Sequence, residues 1–161
     1  MKILALESSG LVASVAVWED HKIIGEFSTN FKKTHSQTLL PMLDKVVQML
    51  ELKLEEIDAI AVSKGPGSFT GLRIGSATAK GLGLALDKPL IGVPTVDALA
   101  YNLYGTKRLI CPMMDARRAQ VYTGLYTFEG GQFKIVCPQK ACSLEEIAEQ
   151  INALGKETIL L

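Results

Sequence analysis

The sequence predicts an α/β fold, with a mixed sheet that carries helices on both faces, and it predicts two related halves. Strand-like and helix-like stretches follow one another in the order β-β-β-α-β-α-β-α, which suits such a sheet. The pattern then restarts after Gly105 with three more strand-like runs. A strand, a tight glycine turn and a helix around residues 64–75 are the third observation. We therefore place a first domain at 1–104 and the start of a second, related domain at 105–161, which is expected to be truncated.

Three strand-like runs open the first half. They span residues 3–6, 12–18 and 23–28. Ser8-Ser9-Gly10 and Asp20-His21 supply the turns between them. Short turns between apolar runs predict an antiparallel meander.

The rest of the first half alternates helix and strand. A helix is predicted from about His35 to Leu52, since leucine, methionine and valine recur there at helical spacing. Pro41 is tolerated in this helix only near the first turn or with a kink. The remaining elements are a buried strand at 57–62, a helix from Gly71, a strand at 89–93 and a helix at 95–103.

The second half repeats this opening with strands predicted at 109–114, 120–127 and 132–136. Ser143 and Glu146 have the spacing of a capping box, which predicts a helix over 144–154. A last strand is predicted at 157–161. Nothing follows to cover this apolar run, which is why we expect a truncated domain.

The turn within residues 64–75 is a potential anion site. Gly-Pro-Gly at 65–67 ends the strand, and Ser68 or Thr70 can cap the next helix. Free backbone N–H groups at a helix start favour anions. The residues match neither a Walker loop, because Lys64 precedes the glycines, nor a dinucleotide fingerprint. A turn shaped only for strand-to-helix packing is the other open interpretation.

Small residues recur every four positions along the predicted helix. They are Gly71, Gly75, Ala79 and Gly83. Glycine costs about 1 kcal/mol relative to alanine in a helix interior, so this stripe needs a close contact. The contact is either the protein's own sheet or a helix of another subunit. Ile74, Thr78, Leu82 and Ala85 form a second face that is available to a partner.

Six segments carry a family resemblance. They are Leu4-Ala-Leu-Glu-Ser-Ser9, His35-Ser-Gln-Thr-Leu-Leu-Pro-Met42, Gly65-Pro-Gly-Ser-Phe-Thr-Gly-Leu-Arg-Ile-Gly75, Gly92-Val-Pro-Thr95, Asp115-Ala-Arg-Arg118 and Val121-Tyr-Thr-Gly-Leu-Tyr126. In this order they resemble the bacterial TsaB (YeaZ) family of the tRNA threonylcarbamoyladenosine pathway. The resemblance covers essentially the whole chain. It implies the acetate kinase, sugar kinase, Hsp70 and actin type of fold, with two ribonuclease-H-like halves.

The resemblance also implies a non-catalytic subunit that binds TsaD and, through that complex, the TsaE ATPase. The complex would form N6-threonylcarbamoyladenosine at position 37 of tRNAs that read ANN codons, so the chain would contact tRNA only indirectly. We expect a cytoplasmic protein that is a homodimer when alone. The predicted partner interface consists of His35, Leu39, Gly71, Ile74, Gly75, Thr78, Ala79 and Leu82.

A nucleotide site is a further possibility, because active members of this fold end the first strand with an acidic residue. The candidates for binding phosphate are Glu7, Ser8, Ser9, Gly65 and Gly67. The ligand would be ATP or ADP with Mg²⁺ at a subunit interface. A lone carboxylate is a poor Mg²⁺ site, and these residues also suit turn and capping roles. The alternative function is therefore an ATP-dependent phosphotransferase or hydrolase of the same fold, or a peptidase-like activity.

The histidines do not predict catalysis. The catalytic relatives, the TsaD and Kae proteins, bind metal with two histidines four residues apart on this helix, whereas His35 is followed by Leu39. His21 lies in a predicted turn. We assign no catalytic residue and no metal ligand, and the sequence shows no carboxylate cluster for a nuclease. The basic pairs Lys32-Lys33 and Arg117-Arg118 are interpreted as solvated loops that can also meet a phosphate or a carboxylate.

Composition limits the function classes further. Lys and Arg together number 17, as do Asp and Glu, so the chain has no overall basic field for autonomous nucleic-acid binding. Its three cysteines lack the C-x-x-C spacing of a zinc site and favour a reducing compartment. No run approaches the ~20 apolar residues of a membrane-spanning helix.

Overall fold

The computed structural model describes residues 1–31 and 34–161. Lys32-Lys33, one of the two basic pairs, lies outside the described residues. The chain forms two compact units, Met1–Val93 and Pro94–Leu161. None of the helices in the described ranges is long and apolar enough to cross a membrane.

The first unit contains a five-stranded mixed sheet in the order β3-β2-β1-β4-β5. Its strands are β1 (Lys2–Glu7), β2 (Ala13–Glu19), β3 (Lys22–Thr29), β4 (Ala59–Ser63) and β5 (Leu90–Val93). The first three strands pair antiparallel, which confirms the predicted meander. The strands β1, β4 and β5 pair in parallel. A crossover from β1 to β4 therefore brings the two turns that follow these strands to the same edge of the sheet.

Two helices cover one face of this sheet: α1 (His35–Met49) and α2 (Phe69–Leu86). Alternation along β1 puts Leu4 and Leu6 on that face, where both are buried. Helix α1 contributes four buried side chains, Leu39, Met42, Leu43 and Val46. It continues through Pro41 and ends three residues earlier than predicted. Together these side chains form the core of the first unit.

The second unit contains another mixed sheet, in the order β10-β6-β8-β7, with β9 also paired to β8. Its elements are α3 (Thr95–Tyr101), β6 (Leu109–Cys111), β7 (Met113–Arg117), β8 (Gln120–Glu129), β9 (Gln132–Ser143), α4 (Leu144–Leu154) and β10 (Thr158–Leu160). The single strand predicted at 109–114 is divided at Pro112, whose nitrogen cannot donate to a ladder. Strand β9 extends seven residues beyond the prediction, because β8 pairs with it out to Ser143.

The division between the units differs from the predicted one at residue 104. Helix α3 belongs to the second unit because Val96 and Ala100 pack in one cluster with Ile110 and Tyr126. The predicted cap of α4 is present, since the Ser143 hydroxyl accepts a hydrogen bond from the Glu146 backbone N–H at 3.1 Å. The Glu146 carboxylate pairs with Lys140 instead of returning to the backbone. Only half of the capping box is therefore formed.

Tyr126 is fully buried in the second unit, and its hydroxyl donates a hydrogen bond to Asp97 at 2.8 Å. Burial, followed by the hydrogen bond to the Asp97 carboxylate, raises the pKa of Tyr126 well above its usual range. The unfolded chain loses this proton near pH 10 while the folded chain keeps it. The free energy of unfolding should therefore fall as pH rises above about 10. Tyr126 alone should lower it by up to ~1.4 kcal/mol per pH unit.

We expect denaturant unfolding between pH 9 and pH 11.5 to show this loss in the wild type. Other groups titrate in the same range, so the control is Tyr126→Phe, which lacks the phenolic proton. This variant should start less stable at pH 8, because Asp97 loses its donor, and should lose less stability with rising pH. Parallel pH profiles for the two proteins would contradict the assignment.

Candidate functional site: the turn between the first strand and the second helix

The turn after β1 and the turn after β4 meet at the start of α2. The backbone N–H of Ser68 donates to the carbonyl of Ser9 at 2.7 Å. The buried hydroxyl of Ser8 donates to the carbonyl of Gly71 at 2.9 Å, inside the first turn of α2. Two residues of the β1 turn are thus bonded to α2 and its cap. The predicted strand, turn and helix form one unit with the end of β1.

The glycines of this region permit the close approach. A Cβ at Gly67 would lie 2.5 Å from the carbonyl oxygen of Ser9, and a Cβ at Gly71 would overlap the carbonyl oxygen of Ser8. Gly75 faces the Ser8 hydroxyl in the same way. Gly65 also needs its special backbone, with φ of 99°. Gly67, Gly71 and Gly75 therefore permit close packing, and Gly65 permits the backbone of the turn.

The start of α2 is capped. The hydroxyl of Ser68 accepts a hydrogen bond from the Gly71 backbone N–H at 3.2 Å, so Ser68 is the cap and Thr70, the other predicted cap, is not. The helix begins at Phe69, two residues before the predicted start at Gly71. The carboxylate of Glu7 accepts a hydrogen bond from the backbone N–H of Ser9. Glu7 and Ser8 are therefore both bonded within the turns. Binding of a nucleotide phosphate stays a prediction for these two residues and for Ser9, Gly65 and Gly67.

His35 is the first residue of α1, and its Nε2 lies 2.9 Å from the carbonyl oxygen of Gly10. A carbonyl only accepts, so Nε2 carries the proton and donates. Leu39, one turn later, is 1% exposed and belongs to the core. No group of three or more His, Cys, Asp or Glu side chains suited to a metal occurs in the described part of the chain. The histidine thus holds the β1 turn against α1.

The eight residues predicted for a partner interface fall into two sets. Leu39, Gly71, Gly75 and Ala79 are buried. The small-residue stripe packs against the chain's own sheet, where Gly75 meets Ser8 and Val62. The place of these four residues in a partner interface stays a prediction. Of the two interpretations left open by the sequence, intramolecular packing is the one that the fold uses. His35, Ile74, Thr78 and Leu82 are half-buried, and their place in an interface stays a prediction.

Both helices also carry exposed apolar side chains that were not predicted from the sequence. Leu40 and Met49 on α1, and Phe69 and Leu84 on α2, are between 53% and 88% exposed. Their signal in the sequence is an apolar residue that falls off the core stripe of its helix. They do not form one patch. Leu40 and Met49 lie on opposite sides of α1, and Phe69 and Leu84 lie roughly 180° and 120° around α2 from Thr78. We therefore give the name α1/α2 surface to the half-buried residues His35, Ile74, Thr78 and Leu82.

Of the basic pair, Arg117 is the last residue of β7 and Arg118 follows in the turn before β8, and both are exposed. The Arg117 guanidinium pairs with the Asp115 carboxylate at 3.2 Å. This arrangement agrees with a solvated loop.

Comparison with known proteins shows which family this chain is similar to. A family model described as "TsaD: tRNA N6-adenosine threonylcarbamoyltransferase" matches residues 22–158. The tRNA threonylcarbamoyladenosine biosynthesis protein TsaB of Bacillus subtilis is 35% identical over 161 residues, which cover 100% of this chain and 70% of that protein. The chain belongs to the TsaB family. The predicted family, and with it the link to tRNA threonylcarbamoyladenosine biosynthesis, is confirmed.

Further TsaB relatives and a solved structure extend the match. The Escherichia coli TsaB is 36% identical over 129 residues, covering 78% of this chain and 55% of that protein. The structure of YeaZ from Pseudomonas aeruginosa superposes with a TM-score of 0.80 at 31% identity, covering 89% of this chain and 68% of that one. The predicted fold class is confirmed. This TsaB chain spans between 55% and 70% of the length of these two curated relatives.

Proposed function

We propose that this TsaB chain is a non-catalytic scaffold subunit for TsaD. In this role it binds TsaD directly and TsaE through the complex, in the cytoplasm. The complex forms N6-threonylcarbamoyladenosine at position 37 of tRNAs that read ANN codons. ATP, Mg²⁺ and the threonylcarbamoyl adenylate are handled by the partners or at the boundary with them.

One observation carries the proposal: the side chains best placed for chemistry are bonded to the chain's own backbone. Glu7 accepts from the Ser9 N–H, Ser8 donates to Gly71, and His35 donates to Gly10. These bonds join β1, α1 and α2. A catalytic acid or base needs its reactive atom directed at a substrate. Here the three polar side chains stabilise the fold that presents the two helices.

Charge supports an indirect contact with tRNA. Affinity for nucleic acid depends largely on Lys and Arg that neutralise phosphates. The chain carries 17 of these residues against 17 Asp and Glu. A partner that supplies the basic surface fits this balance better than direct binding by the chain alone.

The α1/α2 surface is the proposed contact, both with TsaD and with a second copy when the chain is alone. It contains the half-buried Ile74, Thr78 and Leu82, which are spaced by four residues and lie on one side of α2. Apolar side chains that are partly exposed in one chain, such as Ile74 and Leu82, are the usual centre of a protein interface. The helices are rigid elements packed on one core, so the surface is already formed before a partner binds.

Thr78→Arg should abolish the complex with TsaD. The substitution puts a long charged side chain on a half-exposed position, so the fold should tolerate it. At the centre of an interface the buried, unpaired charge should weaken binding about 100-fold or more. Light scattering after size-exclusion chromatography of the chain, alone and mixed with purified TsaD, measures both assemblies.

The matched control is Gln132→Arg, which adds the same charge at an exposed hairpin position of the second unit. It should bind TsaD like the wild type. Gly75→Leu is unsuitable for this purpose, because its side chain would meet Ser8 and disturb the fold. If Thr78→Arg folds normally and binds TsaD with unchanged affinity, the proposed surface is wrong. If the wild type itself ignores TsaD, the scaffold role is wrong for this chain.

A further inference from the structure

A cleft of about 490 Å³ opens beside α2, on the side toward the end of β4. Its lining includes Val62 and Leu72, which provide an apolar floor. The volume is within the range of small-molecule sites in proteins. The cleft lies entirely within the first unit. It is separate from the hydrogen bonds that join Glu7, Ser8 and His35 to the backbone.

Three cationic side chains line this cleft, and no acidic residue does. Arg73 and Lys80 are seven residues apart on α2, which puts both on one face of the helix. Lys64 follows directly after β4. Within the described residues none of these cations has a carboxylate within 4 Å, although the chain forms six such ion pairs elsewhere. The cleft therefore concentrates positive charge in a chain with no net charge.

The positions of two of these cations are supported by neighbouring residues. The Arg73 guanidinium lies 4.1 Å from the centre of the Phe69 ring, a cation–π contact that orients it at the cleft. The stem of Lys64 crosses Gly92 of β5, where an added Cβ would lie 3.2 Å from its Cδ. A larger side chain at position 92 would displace the lysine. Both cations are thus positioned by their surroundings.

Ser76, on the same side of α2, adds a hydroxyl to the lining of the cleft. The Ser63 side chain does not add another. Alternation along β4 places Val62 on the α2 side of the sheet, where it would contact a Cβ at Gly75, and Ser63 on the opposite face.

We infer that this cleft binds a small molecule through a phosphate or diphosphate group. Three cations and the Ser76 hydroxyl suit a group with several negative charges and several acceptor oxygens, whereas a single carboxylate would use only part of them. The apolar floor suits an organic portion attached to the phosphate. We name this cleft the phosphate cleft. The inference is independent of the scaffold role and of the Gly65–Gly67 turn.

The test is isothermal titration calorimetry of the 161-residue chain with inorganic pyrophosphate, without Mg²⁺ and at constant ionic strength. We expect saturable binding of one pyrophosphate per chain. Arg73→Ala and Lys80→Ala are exposed helix substitutions that leave the core intact, and each should weaken binding about tenfold or more. The matched control is Lys22→Ala, since Lys22 is an exposed lysine on β3 at the opposite edge of the sheet. No saturable binding, or equal weakening by Lys22→Ala, would overturn the inference.

Competition distinguishes the two sources of a phosphate group. Phenyl phosphate and inorganic phosphate are each titrated against bound pyrophosphate. Stronger displacement by phenyl phosphate supports an organic ester that uses the apolar floor, and equal displacement supports the free anion. If neither displaces pyrophosphate, the phosphate cleft is not a phosphate site.

Discussion

Gly71→Ala should strongly destabilise the protein, while Gly81→Ala on the same helix should stabilise it. A Cβ at Gly71 would overlap the carbonyl oxygen of Ser8, a backbone atom that cannot rotate away. Overpacking of this kind costs about 3 kcal/mol or more. Gly81 is exposed with nothing within 4 Å of an added Cβ, so alanine should contribute its helix propensity, about 0.5–1 kcal/mol.

Urea unfolding followed by circular dichroism measures both variants against the wild type. The two substitutions are chemically identical and lie in one helix, so their difference isolates the contact between β1 and α2. The displaced helix should also weaken any binding on the α1/α2 surface. Equal stabilities for the two variants would show that Gly71 does not set the approach of α2 to the sheet.

Leu39→His should also be strongly destabilising, whereas the neighbouring Leu40→His should be almost neutral. Position 39 is where the catalytic relatives of the family carry their second metal-binding histidine. In this chain Leu39 is 1% exposed and packs in the core with Met42 and Val46, whereas Leu40 is 53% exposed. Placing an imidazole in that core leaves buried polar atoms without partners and loses apolar packing, at a cost of about 3–5 kcal/mol. At position 40 the cost should stay within about 0.5 kcal/mol.

Thermal and urea unfolding of both variants, with and without Zn²⁺, decide this prediction. We expect no rescue of Leu39→His by Zn²⁺, because His35 already uses its Nε2 to bond Gly10. A stable Leu39→His that binds Zn²⁺ would mean that the helix can present both positions to a metal. The present packing of α1 would then be wrong.

The sequence alone predicts the features that depend on neighbouring residues. Ser143 caps its helix as predicted, and Ser68 is one of the two caps predicted for α2, because a cap needs only a hydroxyl and an N–H three residues later. The antiparallel meander follows from short turns between apolar runs in the same way. Strand β9 was predicted too short, because its length depends on pairing with β8 and not on its own residues.

The tertiary structure alone decides what the small-residue stripe of α2 contacts. The sequence shows that something must come close to Gly71 and Gly75, but it leaves a sheet and a second subunit equally open. The crossover from β1 to β4 brings Ser8 to that point, 63 residues away from Gly71 in the chain. The same applies to the phosphate cleft, where Lys64 at a strand end meets Arg73 and Lys80 on a helix face. Local patterns determine which elements form, whereas contacts between distant residues depend on how those elements pack.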